Sequence, residues 1–213
     1  MKKPARYTAS ARFYDLISAE WPVYRAGRDA AMELLDLQPD ESVLDIGCGT
    51  GLNFPLMRSR IGDGGSITGV DSSANMLEQA RRREPDGPLT LIEADAASLS
   101  RDRLGDNAPF DAVIATYALS LMPTWTDVLA SMIDATRPGG RVCIVDMQRP
   151  VGRAAAWTPL AELACKLGGA DIEAHPWTAL ESSLLDVRSA SARGGHIQVR
   201  VGTVPGDVEE GVA

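Results

Sequence analysis

Short apolar runs alternate with helix-length stretches over most of this chain, the pattern of strands joined through crossover helices into a parallel sheet. Five runs read as strands: Ser42 to Ile46, Ser66 to Val70, Leu89 to Glu93, Phe110 to Ala115 and Arg141 to Asp146. Their Val and Ile content suits burial on both faces. Helices are expected to begin near Asn53, Ser73 and Thr124, each just after a turn or a polar residue and ahead of an apolar pattern. Gly139-Gly140, after Arg137-Pro138, marks a turn between a helix and the fifth strand.

Beyond Asp146 the pattern changes. The alanine-rich stretch from Arg153 to Leu167 reads as one further helix ended by Gly168-Gly169. Leu184 to Ala192 and His196 to Val201 flank Arg193-Gly194-Gly195, so an antiparallel hairpin is expected to close the fold. The chain divides into an N-terminal helical segment at 1–40, expected to serve as a lid or substrate segment, a cofactor-binding core domain at 41–203 and an acidic tail at 204–213 expected to be disordered. The first segment carries Tyr7, Phe13, Tyr14, Trp21, Tyr24, Arg25 and Arg28 and is too long for an idle leader.

The most informative local feature is Val43-Leu-Asp-Ile-Gly-Cys-Gly-Thr-Gly-Leu-Asn-Phe54, a buried strand running into a glycine-rich turn and a helix start. Gly47, Gly49 and Gly51 allow a sharp turn and close approach of backbone to a ligand. A dinucleotide loop would place its third glycine where Leu52 stands, and a nucleotide-hydrolase loop would end in Gly-Lys-Ser/Thr, which is missing here. Asp45 at the strand end would repel a phosphate and help to hold an ammonium group. Asp71 ends the second strand, where a carboxylate accepts hydrogen bonds from ribose hydroxyls. An adenosine cofactor with a cationic part fits both carboxylates.

Composition narrows the partner. The chain has 213 residues and a formal net charge of −8, room for one domain and a balance that disfavours phosphate backbones as partners. Three well-separated cysteines, Cys48, Cys143 and Cys165, suggest neither a zinc site nor a disulfide framework, and no metal is expected. Reduced thiols, with neither a signal peptide nor a membrane-spanning segment, lead to the expectation of a cytoplasmic protein. Peripheral membrane contact stays open, because Lys2, Lys3 and Arg6 precede Phe13, Tyr14, Leu16, Ile17 and Trp21.

Taken in order, Val43 to Phe54, Gly69-Val-Asp-Ser-Ser-Ala-Asn-Met-Leu77, Glu93-Ala-Asp-Ala-Ala97, Phe110-Asp-Ala-Val-Ile114 and Arg137-Pro-Gly-Gly140 resemble the motifs of class I S-adenosylmethionine-dependent methyltransferases. The early helices and Phe13-Tyr-Asp15 resemble the small-molecule and lipid methyltransferases of the ubiquinone and menaquinone biosynthesis type. The resemblance implies a Rossmann-like α/β fold: a seven-stranded, mostly parallel sheet with an antiparallel last strand and helices on both faces. It implies S-adenosylmethionine as cofactor and transfer of a methyl group to a small-molecule or lipid-like acceptor. By the same resemblance, Asp45, Gly47, Cys48, Gly49, Gly51 and Asn53 surround the methionine part, and Asp71 the ribose. Ser72 and Met76 lie around the adenosine, Asp95 and Ala96 at the adenine edge, and Thr116 beside the fourth strand.

Methyl transfer needs alignment and desolvation more than a fixed catalytic residue. Tyr14, Tyr117 and His196 are the candidates for an acceptor-side role, with Ser120 beside Tyr117. Arg25 and Arg28 have the geometry to meet a cofactor carboxylate. Cys48 reads as a space filler rather than a nucleophile. Two other readings compete: a nicotinamide-dependent oxidoreductase, opposed by Leu52, and a non-catalytic S-adenosylmethionine-binding protein.

Overall fold

The computed structural model describes residues 24–83 and 87–206. Its elements run α1 (Arg25–Leu35), β1 (Ser42–Ile46), α2 (Phe54–Ile61), β2 (Ser66–Asp71), α3 (Ala74–Arg83), β3 (Leu89–Glu93), α4 (Arg101–Leu104), β4 (Phe110–Thr116), α5 (Trp125–Ala135), β5 (Thr136–Met147), α6 (Thr158–Gly168), α7 (Pro176–Ser183), β6 (Leu185–Ala192) and β7 (Ile197–Thr203). The seven strands form one sheet in the order β3-β2-β1-β4-β5-β7-β6. Strands β1 to β5 pair in parallel, and β7 runs antiparallel to both β5 and β6. This is the seven-stranded α/β arrangement expected from the sequence.

The pleat sends alternate residues of each strand to opposite faces. Val43, Ile114, Cys143, Val145 and Val199 meet Met32 and Leu35 of α1 and Phe54 and Met57 of α2 on one side. Leu44, Ile46, Val113, Ile144 and Phe110 meet Val128, Leu129 and Met132 of α5 and Trp177 and Leu180 of α7 on the other. The same alternation aims Asp45 and Thr116 toward the α1 and α2 side. Helix α1 sits close to the sheet because Gly27 has no side chain, and a Cβ there would overlap the Tyr117 hydroxyl.

Four sequence expectations change. The fifth strand begins at Thr136, and Arg137–Gly140 bulge out between the pairs Phe110–Thr136 and Ala112–Arg141 instead of forming a turn ahead of the strand. The helix expected over 153–167 is split into a 3-10 segment, Gly152–Trp157, and α6, whose start is set by a proline in its first turn. Helix α7 was not anticipated. Of the 1–40 segment, the described part carries α1, which packs on β5, β6 and β7 as part of the core; the remainder, with Tyr7, Phe13 and Tyr14, lies outside the described residues, as does most of the 204–213 tail. Among the described residues no helix is long and apolar enough to cross a membrane, and no cluster of His, Cys, Asp and Glu could hold a metal.

Candidate active site

The loop after β1 turns through three glycines with positive φ: Gly47 at 66°, Gly49 at 55° and Gly51 at 77°. Each meets a different need. A Cβ on Gly47 would lie 2.6 Å from Ala118 Cβ, so this glycine lets the loops after β1 and β4 approach. A Cβ on Gly51 would press on the Phe54 ring and on Ala80 of α3, which makes it a packing glycine. Only Gly49 faces open space, with nothing within 4 Å of a Cβ. It borders a cavity of about 240 Å³ beyond the C-terminal ends of the central strands, where open α/β sheets bind ligands.

Asp71, at the end of β2, anchors this loop. One carboxylate oxygen accepts the Gly49 amide hydrogen at 2.9 Å, and the other accepts from the Ser73 amide at 2.9 Å. Burial raises its pKa, opposed by the backbone donors of Ser73, Gly49 and Ser72. The cavity walls on this side are Asp71, Ser72, Ser73 and Met76, the last from the first turn of α3.

Behind the glycine loop lies a second, fully buried group. Asp45 Oδ2 accepts from Asn53 Nδ2 at 2.9 Å, and Asn53 Nδ2 also reaches Thr116 Oγ1 at 3.0 Å. Arg28 of α1 donates to both Asn53 Oδ1, at 2.9 Å, and Thr116 Oγ1, at 2.7 Å. Asp45 Oδ1 is buried without a hydrogen-bond partner. Burial pushes the Asp45 carboxyl up to about 7, against the Asn53 hydrogen bond and the Arg28 charge, with Asp71 adding to the rise. A buried acceptor left open this way is costly unless a donor is brought to it.

The opposite wall is apolar: Ala118, Leu121 and Met122 follow β4, with Tyr117 and Thr116 at its base. Tyr117 takes a left-handed φ of 55°. Its hydroxyl donates to the Tyr24 carbonyl at 2.7 Å, and its ring lies 5.4 Å from the Arg28 guanidinium carbon. Asp146, at the end of β5, accepts from the Ser120 amide at 2.9 Å and holds this wall from behind. Burial pushes its carboxyl up to about 6 while the Ser120 and Met147 donors oppose the rise.

The structure thus gathers most of the sequence candidates. Gly47, Cys48, Gly49, Asp71, Ser72, Met76 and Thr116 line the cavity, as do Arg28 and Tyr117. Asp45, Gly51 and Asn53 stand behind the lining. Cys48 is buried, and burial with the Asp45 and Asp71 charges pushes its thiol well up, which suits a space filler. Asp95 accepts the Ala97 amide hydrogen at 3.0 Å as the cap of the 3-10 turn Ala96–Ser98, and neither Asp95 nor Ala96 is part of the lining. His196 ends the turn just before β7, at the expected sheet edge, but its Nδ1 lies 2.5 Å from the Gln148 carbonyl oxygen and it does not line the cavity. His175 sits beside Trp177, with ring centroids 5.0 Å apart, away from the cavity. Sequence reasoning missed the wall of Ala118, Leu121 and Met122 and the buried Asp146; small apolar residues after a strand carry no signal of their own.

Residues 43–140 match the profile of a family described as methyltransferase domain. The chain is 32% identical over 123 residues to the demethylmenaquinone methyltransferase of Listeria welshimeri, a match covering 58% of this chain and 52% of that protein. It is 31% identical over 130 residues to the enzyme of the same name from Shouchella clausii, covering 60% and 54%. The chain therefore spans about half the length of the curated relatives it matches. In fold it resembles a solved S-adenosylmethionine-dependent methyltransferase from Aquifex aeolicus, with a TM-score of 0.59 at 13% identity over 89% of this chain and 97% of that one. Residues 43–140 are thus similar to a methyltransferase domain, and the described fold is that of the solved methyltransferase.

Proposed function

We propose that this protein transfers the methyl group of S-adenosylmethionine to a small, apolar acceptor of the quinol type. The observation that carries the proposal is the pairing of a glycine loop open at Gly49 with Asp71 on one side and the unpartnered oxygen of Asp45 beneath. In this reading Asp71, whose carboxylate is held by the backbone donors of Gly49, Ser72 and Ser73 and still has acceptor capacity, accepts from the ribose hydroxyls. Asp45 takes the ammonium of the methionine moiety, and Arg28, held by Asn53 and Thr116, faces its carboxylate. Met76 packs on the adenine, with Asp95 and Ala96 at its edge and Ser72 near the ribose.

The cofactor, when bound, supplies a methyl group already activated by its sulfonium. The chain's own residues bind it, exclude water and align the acceptor for in-line displacement. The apolar wall of Ala118, Leu121 and Met122 favours a flat, weakly polar acceptor over a charged one. Tyr117 donates its hydroxyl proton to a backbone carbonyl, so it serves as a wall and not as a base. An acceptor that brings its own nucleophile, such as an ionised quinol, fits this lining. The name shared by the Listeria and Shouchella relatives points to the same acceptor class.

Calorimetric titration with S-adenosylhomocysteine tests the cofactor site, and mass spectrometry of a prenylated naphthoquinol incubated with protein and cofactor tests the acceptor. Binding with a methylated quinol supports the whole reading. Binding without methylation of any quinol refutes the acceptor class, and no binding refutes the site. Reduction of a quinone with a nicotinamide cofactor would favour the oxidoreductase instead.

A further inference from the structure

Helix α3 meets the cavity and its glycine loop at two places. Its first turn supplies Met76 to the cavity wall. Met76, Leu77 and Ala80 are its buried residues, and Arg83 continues that inner stripe, one turn beyond Ala80 and two beyond Met76. The neighbouring Arg81 and Arg82 are exposed, and Arg82 pairs with Glu78 one turn back. Arg83 is half-buried instead, and its Nε donates to the Thr50 carbonyl oxygen at 2.9 Å. Thr50 belongs to the glycine loop, is buried, and lines the cavity, whereas Arg83 does not.

We infer that Arg83 is a positioning residue for the cofactor: from outside the cavity it fixes the Thr50–Gly51 peptide and so keeps the glycine loop in its ligand-binding shape. The inference rests on the cofactor reading proposed above. A loop that takes positive φ at Gly47, Gly49 and Gly51 has much backbone freedom to lose, so its shape must be held by contacts. Two of those contacts carry charge. The Asp71 carboxylate accepts the Gly49 amide hydrogen, and the Arg83 guanidinium donates to the carbonyl of the next residue. An anion on an N–H and a cation on the adjacent C=O fix the direction of both groups through charge-assisted hydrogen bonds. Packing adds to this at Gly51, where a Cβ would come within 3.1 Å of Ala80 Cα, so the loop lies directly on α3 with Arg83 one turn further along. The position also suits a cation, since Arg83 is in the last turn of α3, where the helix dipole favours positive charge. A loop held ready in this way loses less freedom when the ligand arrives, and the cost of losing Arg83 therefore falls on affinity.

Calorimetric titration of the full chain with S-adenosylhomocysteine, beside thermal melting, tests the role on wild type, Arg83→Ala, Arg83→Lys and Arg82→Ala. Arg83→Ala should bind about tenfold more weakly than wild type while its melting temperature stays within about 3 °C. Arg83→Lys, which keeps one charged donor for the single carbonyl, should recover part of the loss. Arg82→Ala removes the same charge from the exposed face and should stay within about twofold of wild type. Affinity of Arg83→Ala within about twofold of wild type would overturn the inference. So would an equal loss in Arg82→Ala, which would mark a general charge effect, or a loss that follows a lowered melting temperature and is not relieved by lysine, which would mark a structural role only. Wild type that binds while Arg83→Ala is unchanged sinks this inference alone; wild type that does not bind sinks the cofactor reading with it.

Discussion

The Asp71 carboxylate accepts the Gly49 amide hydrogen at 2.9 Å, tying the end of β2 to the apex of the glycine loop after β1. One side chain thereby shapes the loop and borders the cavity that the loop encloses. The second oxygen, held by Ser73, fixes the carboxylate against rotation as α3 begins.

Replacing Asp71 should therefore damage binding more than folding. Asp71→Ala removes the hydrogen bonds to the loop and, on the proposed reading, those to the ribose, and a loss of about 10-fold to 100-fold in S-adenosylhomocysteine affinity is expected. Asp71→Asn, which keeps the shape and one acceptor oxygen, should fall between. Calorimetric titration of the three proteins checks the order.

The glycines separate packing from ligand contact. Gly51→Ala forces a Cβ against Phe54 and Ala80 in a left-handed backbone, and should destabilise the fold by about 2–4 kcal/mol. Gly49→Ala meets no protein atom, so its stability loss should stay near the about 1 kcal/mol cost of positive φ. Its Cβ enters the cavity border, and cofactor affinity should drop in this variant despite its higher melting temperature. Denaturant titration beside ligand titration gives both numbers.

If Asp45 takes the cofactor ammonium as proposed, binding should depend on pH. Its carboxyl is raised to about 7 in the folded protein, from an ordinary value of 3.8. A raised carboxyl contributes stability below its unfolded pKa and loses that contribution as pH rises through the folded one. Relative to Asp45→Asn, the ligand-free wild type should thus lose stability between about pH 4 and about pH 7. Holding an ammonium needs the ionised form, so affinity for S-adenosylhomocysteine should tighten by about tenfold from pH 6 to pH 8. The Asp45→Asn protein should show no such slope.

Tyr117→Phe distinguishes a wall from a base. The lost hydrogen bond to the Tyr24 carbonyl should cost about 1 kcal/mol of stability, while kcat stays within about threefold of wild type. A fall of about a hundredfold or more in kcat would mark the hydroxyl as a proton acceptor instead. Steady-state assays with a quinol acceptor read this out.

Much of the fold was legible because its strands are local apolar runs that need no partner to be recognised. Val43 to Ile46 and Val142 to Val145 announce themselves, and so do the turn glycines Gly194 and Gly195 between β6 and β7. Helix α7 escaped because it has only eight residues, and what holds it is the burial of Trp177 and Leu180 against the far face of the sheet. The Gly47–Gly51 loop and Asp71 were legible for a similar reason: backbone freedom and a strand-end carboxylate are written in consecutive residues. The link from Arg28 through Thr116 and Asn53 to Asp45 was not, since it depends on β1 and β4 being neighbours and on how closely Gly27 lets α1 approach. Asp95 shows the converse, a motif position whose observed contact is a turn cap.

The most direct measurement follows the methyl group. Purified protein is incubated with S-adenosylmethionine bearing an isotopically labelled methyl and a prenylated naphthoquinol, and both products are quantified by mass spectrometry. Labelled methylquinol and S-adenosylhomocysteine should appear in equal amounts, and both should be lost in Asp71→Ala. Absence of both products from wild type, together with no calorimetric binding of S-adenosylhomocysteine, would contradict methyl transfer at this site.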